Sequence, residues 1–522
     1  MFKKGFDNDL YLKLQSETIL ARIKDCNSDK LYLEFGGKIL FDLHAARVLP
    51  GFDPNVKMHL LAKMKDSVDV IMCISAPDIE KKKVRADFGI TYDSDVMKTI
   101  DDFRAWGISV KAIVITRYDG QPSADSFRTT MESRGMKVYT HKFTKGYPTD
   151  VDLIVSEQGY GANPYIETEK PIVVVTGPGP GSGKLATCLS QMYHEQKRGV
   201  KAAYAKFETF PIWNLPLNHP VNRAYEAATA ELKDVNMIDH FHLEAYDIKT
   251  VNYNRDIEAF PIVQRIIEKI TNAPSVYKSP TDMGVNQAGN AIVNDDVVRR
   301  AGEQEVIRRY FRYACEQALG LCTADTLQRV ELIMNDMGLR QEDRSTVVPA
   351  RQAAQRARDK NKGNRGIYSG AAIELPDGTI VTGHNSPLLH AASSVVLTAA
   401  KKLAGIPDDV ELLPSHILTS LADFKEEVLK SASVSLNLEE TLIAFALAAA
   451  TDSTAAAALK KLKELEGCEI HMTHVPSPGD ADGLRKLGFH STSDAEFATK
   501  ALYRRYMSLL KSTSSNIVLL IG

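Results

Sequence analysis

Little in this chain points away from an ordinary globular protein. Its 522 residues hold six cysteines (Cys26, Cys73, Cys188, Cys315, Cys322 and Cys468) with no C-x-x-C pair. That scatter excludes a zinc site built on paired thiolates and a disulfide framework, and it predicts a reducing, cytoplasmic setting. No apolar run is long enough for a membrane helix, and the N-terminal MFKKGFDNDLYLKLQ has no apolar stretch of the signal-peptide kind. No membrane partner is expected. Charge of one sign is lacking too: 64 Lys and Arg stand against 66 Asp and Glu, a net charge of −2. A general nucleic-acid binder needs a basic surplus, so no nucleic-acid partner is expected. The basic run Arg351–Arg365 has no interleaved aromatics for base stacking and reads as a helix end and linker at a domain boundary. There is no G-x-S-x-G elbow and no internal repeat.

What stands out instead is PIVVVTGPGPGSGKLATCLSQMYHE, Pro171 to Glu195. An apolar run meets Gly177, Gly179, Gly181 and Gly183, and then Lys184 and a helical pattern follow. Glycines let backbone N–H groups approach a ligand, and the helix start adds donors and partial positive charge. The lysine adds a full charge. This is the sequence form of a phosphate cradle, with Gly177, Gly179, Gly181, Ser182, Gly183, Lys184 and Thr187 as its candidate residues. The match to G-x-x-x-x-G-K-[ST] is imperfect. Pro178 stands where the first glycine belongs, and Leu185 stands where a hydroxyl would hold magnesium. Thr187 and one strand-end carboxylate, Asp78 or Asp119, are the candidate substitutes for that metal role.

Around this loop, apolar runs at Val68–Ile74, Val110–Thr116, Met136–Thr140, Val151–Val155, Pro171–Thr176 and Val200–Lys206 alternate with helical patterns. Residues 29–48 read as a strand pair turning at Gly36-Gly37. Strand–helix alternation predicts an α/β fold with a mostly parallel, doubly wound sheet, and such sheets bind ligands at the carboxyl ends of their strands. The polar segments after the strands would then line one cleft with Asp78, Lys81, Arg117, Asp119, Lys145, Glu157, Lys184, Lys206 and Glu208. Lys184, Asp119, Arg117 and Glu208 are the candidate catalytic residues.

Helical periodicity takes over after residue 220, interrupted by the inserts EAYDIKTVNYNRDIEAFP and KSPTDMGVNQAGN. Their Asn252, Asn254, Arg255, Asp256, Asp282 and Asn286 suit hydrogen bonding to a polar ligand, although turn and cap chemistry explains each equally well, and with Lys206 they supply the candidate substrate contacts Asn252, Asn254, Arg255, Asp282 and Asn286. From about residue 366, two strand-like runs flank Pro376-Asp377-Gly378, a hairpin signal. Helices follow at Leu388–Ala404, Pro414–Ser431, Asn437–Leu465 and Ala495–Ser512, with short strands at Glu469–Thr473 and Asn516–Ile521. The expected domains are a phosphate-loop-like α/β unit (1–220), a mainly helical unit (221–355) and an α/β sandwich (356–522). The pairs His471/His474 and His240/His242, the latter on a possible strand, lack an identifiable third ligand.

Five stretches together resemble one bacterial family. They are GPGPGSGKLATCLSQMYHE, AKFETFPIWNLPLNHPVNRAYEAATAEL, VNYNRDIEAFP, SPTDMGVNQAG and TRYDGQPSADSF. The family is the uncharacterised protein family 0371, also labelled a domain of unknown function. The resemblance spans nearly the whole chain and implies a cytosolic multidomain α/β protein that forms a homo-oligomer. The C-terminal hairpin and helix also look like a cytidine-deaminase fold. Where deaminases carry H-x-E this chain reads His390-Ala391-Ala392, and THVPSPGDADGLRKLG lacks the later cysteine pair. Zinc and deaminase chemistry are therefore not expected.

Three functions stay open at this point. The first is a nucleotide-dependent enzyme, ligase-like or kinase-like, using ATP or another nucleotide with magnesium. The second acts on a phosphorylated metabolite or uses a dinucleotide. The third is a non-catalytic, ligand-sensing scaffold. All share a phosphate-bearing small-molecule or regulatory anion at Gly177–Lys184.

Overall fold

A computed structural model describes residues 4–85, 90–431 and 433–512. The chain divides into two compact units, 3–305 and 306–514. The division falls within the helix Asp295–Ala318. Residues 221–355 are thus shared between the two units and do not form a body of their own.

The first unit is built on seven parallel strands. In chain order they are β1 (Lys30–Phe35), β2 (Val68–Ser75), β5 (Val110–Thr116), β6 (Val138–Thr140), β7 (Ile172–Thr176), β8 (Ala202–Phe207) and β11 (Gly284–Val285). Between them, β3 (Val84–Arg85) pairs with β4 (Ile90–Thr91), and β9 (Asn236–Ile238) with β10 (Val251–Tyr253). The sheet order is β11-β8-β1-β7-β2-β5-β6. All five residues of β7 are buried, as a strand covered by helices on both faces must be. The chain leaves β1, skips one place to lay down β2, β5 and β6, then returns to fill the gap with β7. It then crosses β1 to add β8 and β11. The direction of winding therefore reverses around β7, and the glycine loop leaves the carboxyl end of that strand.

Two helices hold β7 in place. Lys184–Lys197 turns Cys188, Leu189, Met192 and Tyr193 onto the sheet beside Val173 and Val175. Against it packs Asn254–Thr271 through Phe260, Val263, Ile267 and Ile270, the three-and-four spacing of an amphipathic face.

Several expected elements differ. β1 is a strand, but it has parallel partners on both sides and no hairpin return. Asp42 instead caps a helix over Leu43–Val48. Val151–Val155 buries Val151 and Ile154 and exposes Asp152, the three-residue spacing of a helical turn and not the alternation of a strand. Asp150 accepts a hydrogen bond from the Leu153 amide at 2.9 Å and starts a helix over Val151–Ile154. His240 and His242 lie on the helix His240–Tyr246, started by the Asp239 cap.

In the second unit, β12 (Gly370–Glu374), β13 (Ile380–His384), β14 (Glu469–Met472) and β15 (His490–Ser493) form a mixed sheet of order β13-β12-β14-β15. The hairpin β12–β13 and the helix after it stand where the sequence places them, the helix spanning Ala391–Ala404. A Cβ on Gly383 would lie 2.6 Å from the Val395 amide, so only glycine lets that helix pack so closely on β13. Val347–Asp359 is no linker. Its Ala350, Ala353 and Ala357 are buried, and Ala350 and Ala354 crowd Gly370 of β12. Asn437–Leu465 is two helices, Leu438–Ala449 and Ser453–Lys461, followed by a tight turn, because Asp452 caps the second. The strand expected at Asn516–Ile521 lies outside the described residues.

Candidate functional site: the glycine loop and the charged strand ends

Each glycine of the loop answers to a neighbour. A Cβ on Gly177 would strike the Cys73 carbonyl, and one on Gly179 would strike the Tyr92 hydroxyl. Gly183 is the residue just before the helix and sits at φ +87°, where a Cβ would lie 2.7–2.8 Å from Thr116. The loop is therefore wedged between the ends of β2 and β5. Thr116 Oγ1 donates to the Ser182 carbonyl at 2.8 Å, and Ser182 Oγ donates to the Gly179 carbonyl at 3.0 Å.

Two cations meet this loop. Lys184 is the first residue of the helix, and its Nζ reaches back to the Gly179 carbonyl at 3.4 Å. Arg117 follows β5 in the left-handed backbone region (φ +52°), uncommon for a residue with a Cβ. There its guanidinium donates to the Gly181 carbonyl at 2.6 Å and to Ser75 Oγ at 2.8 Å. A recess of about 30 Å³ lies beside Thr176, Gly177 and Pro178, room for one water molecule.

The metal candidates do not converge. Thr187 is fully buried, and its hydroxyl accepts from the Cys73 thiol at 3.4 Å, so it faces the strand and not the loop. Asp78 sits on the short helix Ala76–Glu80 with Lys83 at 3.8 Å. Asp119 is exposed in the turn after Arg117, its amide donating to Gln121 Oε1. Among the described residues, no group of three or more His, Cys, Asp or Glu is arranged to hold a metal ion.

A second charged group lies at the ends of β8 and β1. Lys206 Nζ sits 2.7 Å from Glu208 and 2.6 Å from Asp256. Glu34 of β1 pairs in register with Lys206 on one side and Val175 on the other, and accepts from Tyr204 at 2.8 Å. Three carboxylates thus share one ammonium in a mostly buried place. Burial first, and then the Asp256 and Glu34 charges, push the Glu208 carboxyl up to about 8 against the pull of Lys206. The Lys206 ammonium stays charged despite its burial, held first by Asp256.

The other candidates are engaged elsewhere. Asn286 donates to the Thr209 and Pro211 carbonyls and accepts from Ala288, and Asn254 caps Val235. Asn252 accepts from its neighbour's amide, Arg255 pairs with Asp234, and Asp282 accepts from Tyr246 and Lys278. The asparagines and Asp282 accept from or donate to nearby backbone, as turn chemistry has it, and Arg255 is held in an ion pair. Glu157 is removed from the cleft by the helix at Val151–Ile154. It accepts from Tyr193 in the last turns of Lys184–Lys197, at the opposite end from the loop. Lys145 is exposed on the segment after β6. The open recess of about 700 Å³ between Thr149–Asp152 and Lys269 also lies away from the loop, since Asp256 begins the helix that Lys269 ends.

Glu34, Ser75, Tyr92 and Thr116 were not foreseen as site residues. Only Glu34 left a signal, as a lone acid inside the apolar strand KLYLEF.

His390 Nδ1 pairs with Asp480 at 2.6 Å, and Asp480 also accepts from the Leu438 amide and Ser477 Oγ.

Fold and site together define a class: a two-unit α/β protein with a lysine-bearing glycine loop where a parallel sheet reverses its winding. The family model for the domain of unknown function DUF1846, N-terminal, matches residues 4–338, and its C-terminal counterpart matches 342–503. A UPF0371 protein of Clostridium botulinum (strain Langeland) is 55% identical over 500 residues, covering 96% of this chain and 99% of the relative. One from Clostridium tetani is 54% identical over 501 residues, with the same shares. The chain belongs to this uncharacterised family. No helix among the described residues is long and apolar enough to cross a membrane.

Proposed function

We propose that Gly177–Lys184 binds the phosphate groups of a nucleotide and that the protein is a phosphoryl-transfer enzyme, ligase-like or kinase-like. One observation carries the reading: Lys184 and Arg117, from different elements, both reach carbonyls of one glycine loop at the end of the central parallel strand. The carbonyls they hold are weak partners for full charges, and a phosphate offers stronger ones. Catalysis of this kind rests on positioning and electrostatics, which two cations and a helix start supply. Glu34 of β1 and Lys206 of β8 meet Glu208, just after β8, and Asp256, in the first turn of Asn254–Thr271, where a carboxyl that keeps its proton near neutrality serves an acceptor.

A second reading is a phosphorylated metabolite in place of a triphosphate. It is favoured by Leu185 after the lysine and by the burial of Thr187, which leave no hydroxyl to hold magnesium. These residues do not fit a protein-held magnesium ion.

Thermal unfolding of wild type and Lys184→Ala with ATP, GTP, NAD, NADP, phosphate and pyrophosphate, each with and without magnesium, tests both. A ligand at one hundred times its Kd stabilises the folded state by about 2.7 kcal/mol. A shift with ATP or GTP, lost in Lys184→Ala, is expected. A shift with phosphate or a dinucleotide alone selects the second reading. No shift with any of them removes the phosphate site and leaves a scaffold.

A further inference from the structure

The charged group at the ends of β8 and β1 is short of positive charge. Glu34, Glu208 and Asp256 share one cation, Lys206, whose Nζ lies 2.7 Å from Glu208 and 2.6 Å from Asp256. Arg255, the neighbour of Asp256 in sequence, adds nothing to the count, because it is paired with a fourth carboxylate, Asp234. Uncompensated charge is costly away from water, so buried ion groups ordinarily balance. Lys30 and Glu195 do so elsewhere in this unit, with side chains 11% and 1% exposed. The side chains of Lys206, Glu208 and Asp256 are 20–23% exposed, so a solute can reach them.

A second observation points to a ligand. Tyr253, just before the helix that carries Asp256, is 4% exposed, and its hydroxyl has no hydrogen-bond partner of good geometry. Its ring lies 5.7 Å from that of Tyr225, and both phenols stand in the field of Glu208. A buried hydroxyl left in this way is rare and calls for a partner.

We infer that this group is a cation subsite, which takes the ammonium or guanidinium group of a small organic molecule. A metal ion needs oxygen ligands converging on an open centre. Here Lys206 Nζ already stands between Glu208 and Asp256, and no metal-holding group of three occurs among the described residues. An organic cation brings N–H donors, for which a carboxylate and a phenol oxygen are acceptors. Burial pushes the Glu208 carboxyl up to about 8, and a bound cation takes the place of the proton it holds. The strands are parallel, so the subsite and the glycine loop stand at the same end of the sheet. Glu34 pairs in register with Lys206 and with Val175, which puts two strand spacings, about 10 Å, between the subsite and the strand that carries the loop. That the cation belongs to the acceptor of phosphoryl transfer rests on the nucleotide reading above; the subsite itself does not.

Calorimetric titration of the full chain at pH 7.5, without nucleotide, tests the inference. The probes are ethanolamine, putrescine, L-lysine and L-arginine, with ethylene glycol and manganese ion as controls. At least one of the four cations is expected to bind wild type and Lys184→Ala equally. Its affinity is expected to fall at least about 10-fold in Glu208→Gln and about 3-fold in Tyr253→Phe, because a hydrogen bond to a charged group outweighs a neutral one. Circular dichroism checks the fold, and Asp256→Asn replaces Glu208→Gln should that variant misfold. No binding of any of the four cations to wild type, an affinity unchanged in the carboxylate variant, or binding of manganese that the same variant abolishes overturns the subsite. Cation binding as expected in a protein that shows no nucleotide shift supports the subsite and removes only its place in phosphoryl transfer.

Discussion

Glu208 is the residue whose charge state matters most to the strand-end cluster. Its carboxyl is raised to about 8, so the folded chain holds a proton there that the unfolded chain releases near the ordinary carboxylate value of about 4.3. Between those two values the native state binds more protons, and stability contributed at this site falls as pH rises through the window. Glu208→Gln keeps the shape and removes the titration. Its urea midpoint is expected to vary less between pH 5 and 8 than that of wild type and to match or exceed it at pH 8. A steeper fall for the variant would mean that Glu208 is a settled carboxylate paired with Lys206. Burial decides the sign here, and Asp256 and Glu34, on separate segments, add negative charge to a place with one ammonium.

At the scale of elements, Asp480 joins three helix starts through one carboxylate. It accepts from His390, the residue before Ala391–Ala404, from the amide of Leu438, the first residue of Leu438–Ala449, and from Ser477, the cap of Pro478–Lys486. Asp480→Ala leaves those donors without their acceptor. A cost of about 2–4 kcal/mol is expected, below the usual range for a broken buried pair because His390 keeps some contact with water. The effect has a pH window. Burial opposes charge on both partners, but their mutual hydrogen bond lowers the Asp480 pKa and raises that of His390. The Asp480 share is present above about 3.8 and lost as pH falls through its lowered value. The His390 share is present below about 6.5 and lost as pH rises through its raised one. Denaturant midpoints of wild type and Asp480→Ala should differ most between pH 4 and 6.5, and an equal gap at pH 9 would show that the pair contributes packing alone.

Elements with a strong period were legible from the sequence, and elements defined by partners were not. β2, β5 and β7 are continuous apolar runs ending in polar turns, and the sheet class follows from their alternation with helices. β1 announces itself equally well, but whether it turns back or joins a parallel sheet is decided by β7 and β8, which lie 141 and 172 residues away in register. Val151–Val155 reads as a strand because a short, mostly apolar segment does not distinguish strand from buried helix, and the Asp150 cap settles it. The loop itself was readable as glycine, lysine and helix. Its wedging by Thr116 and Tyr92, and the inward face of Thr187, depend on which side of each strand meets the loop.

For the whole molecule, two divisions of the chain compete. The two family models meet between residues 338 and 342, whereas the compact units divide at 305/306. The difference is the segment 306–341. Val306, Ile307, Phe311 and Cys315 on it are buried. Phe311 lies with its ring 4.7 Å from that of His471, and Cys315 Sγ lies 3.4 Å from Ser493 Oγ. Both partners belong to the second unit's sheet, on β14 and β15. Losing one buried Phe side chain costs about 3–5 kcal/mol, and a small domain's whole stability is about 5–15 kcal/mol. A fragment of residues 306–512 is therefore expected to unfold cooperatively, with dispersed amide resonances. A fragment of 342–512 should melt at a much lower temperature or show no transition, because its sheet would present an uncovered apolar face. Equal melting of the two would place the physical boundary at residue 342 and make the helix before it an appendage of the second unit. Unequal melting would mean that the second unit draws part of its core from sequence that the N-terminal family model claims.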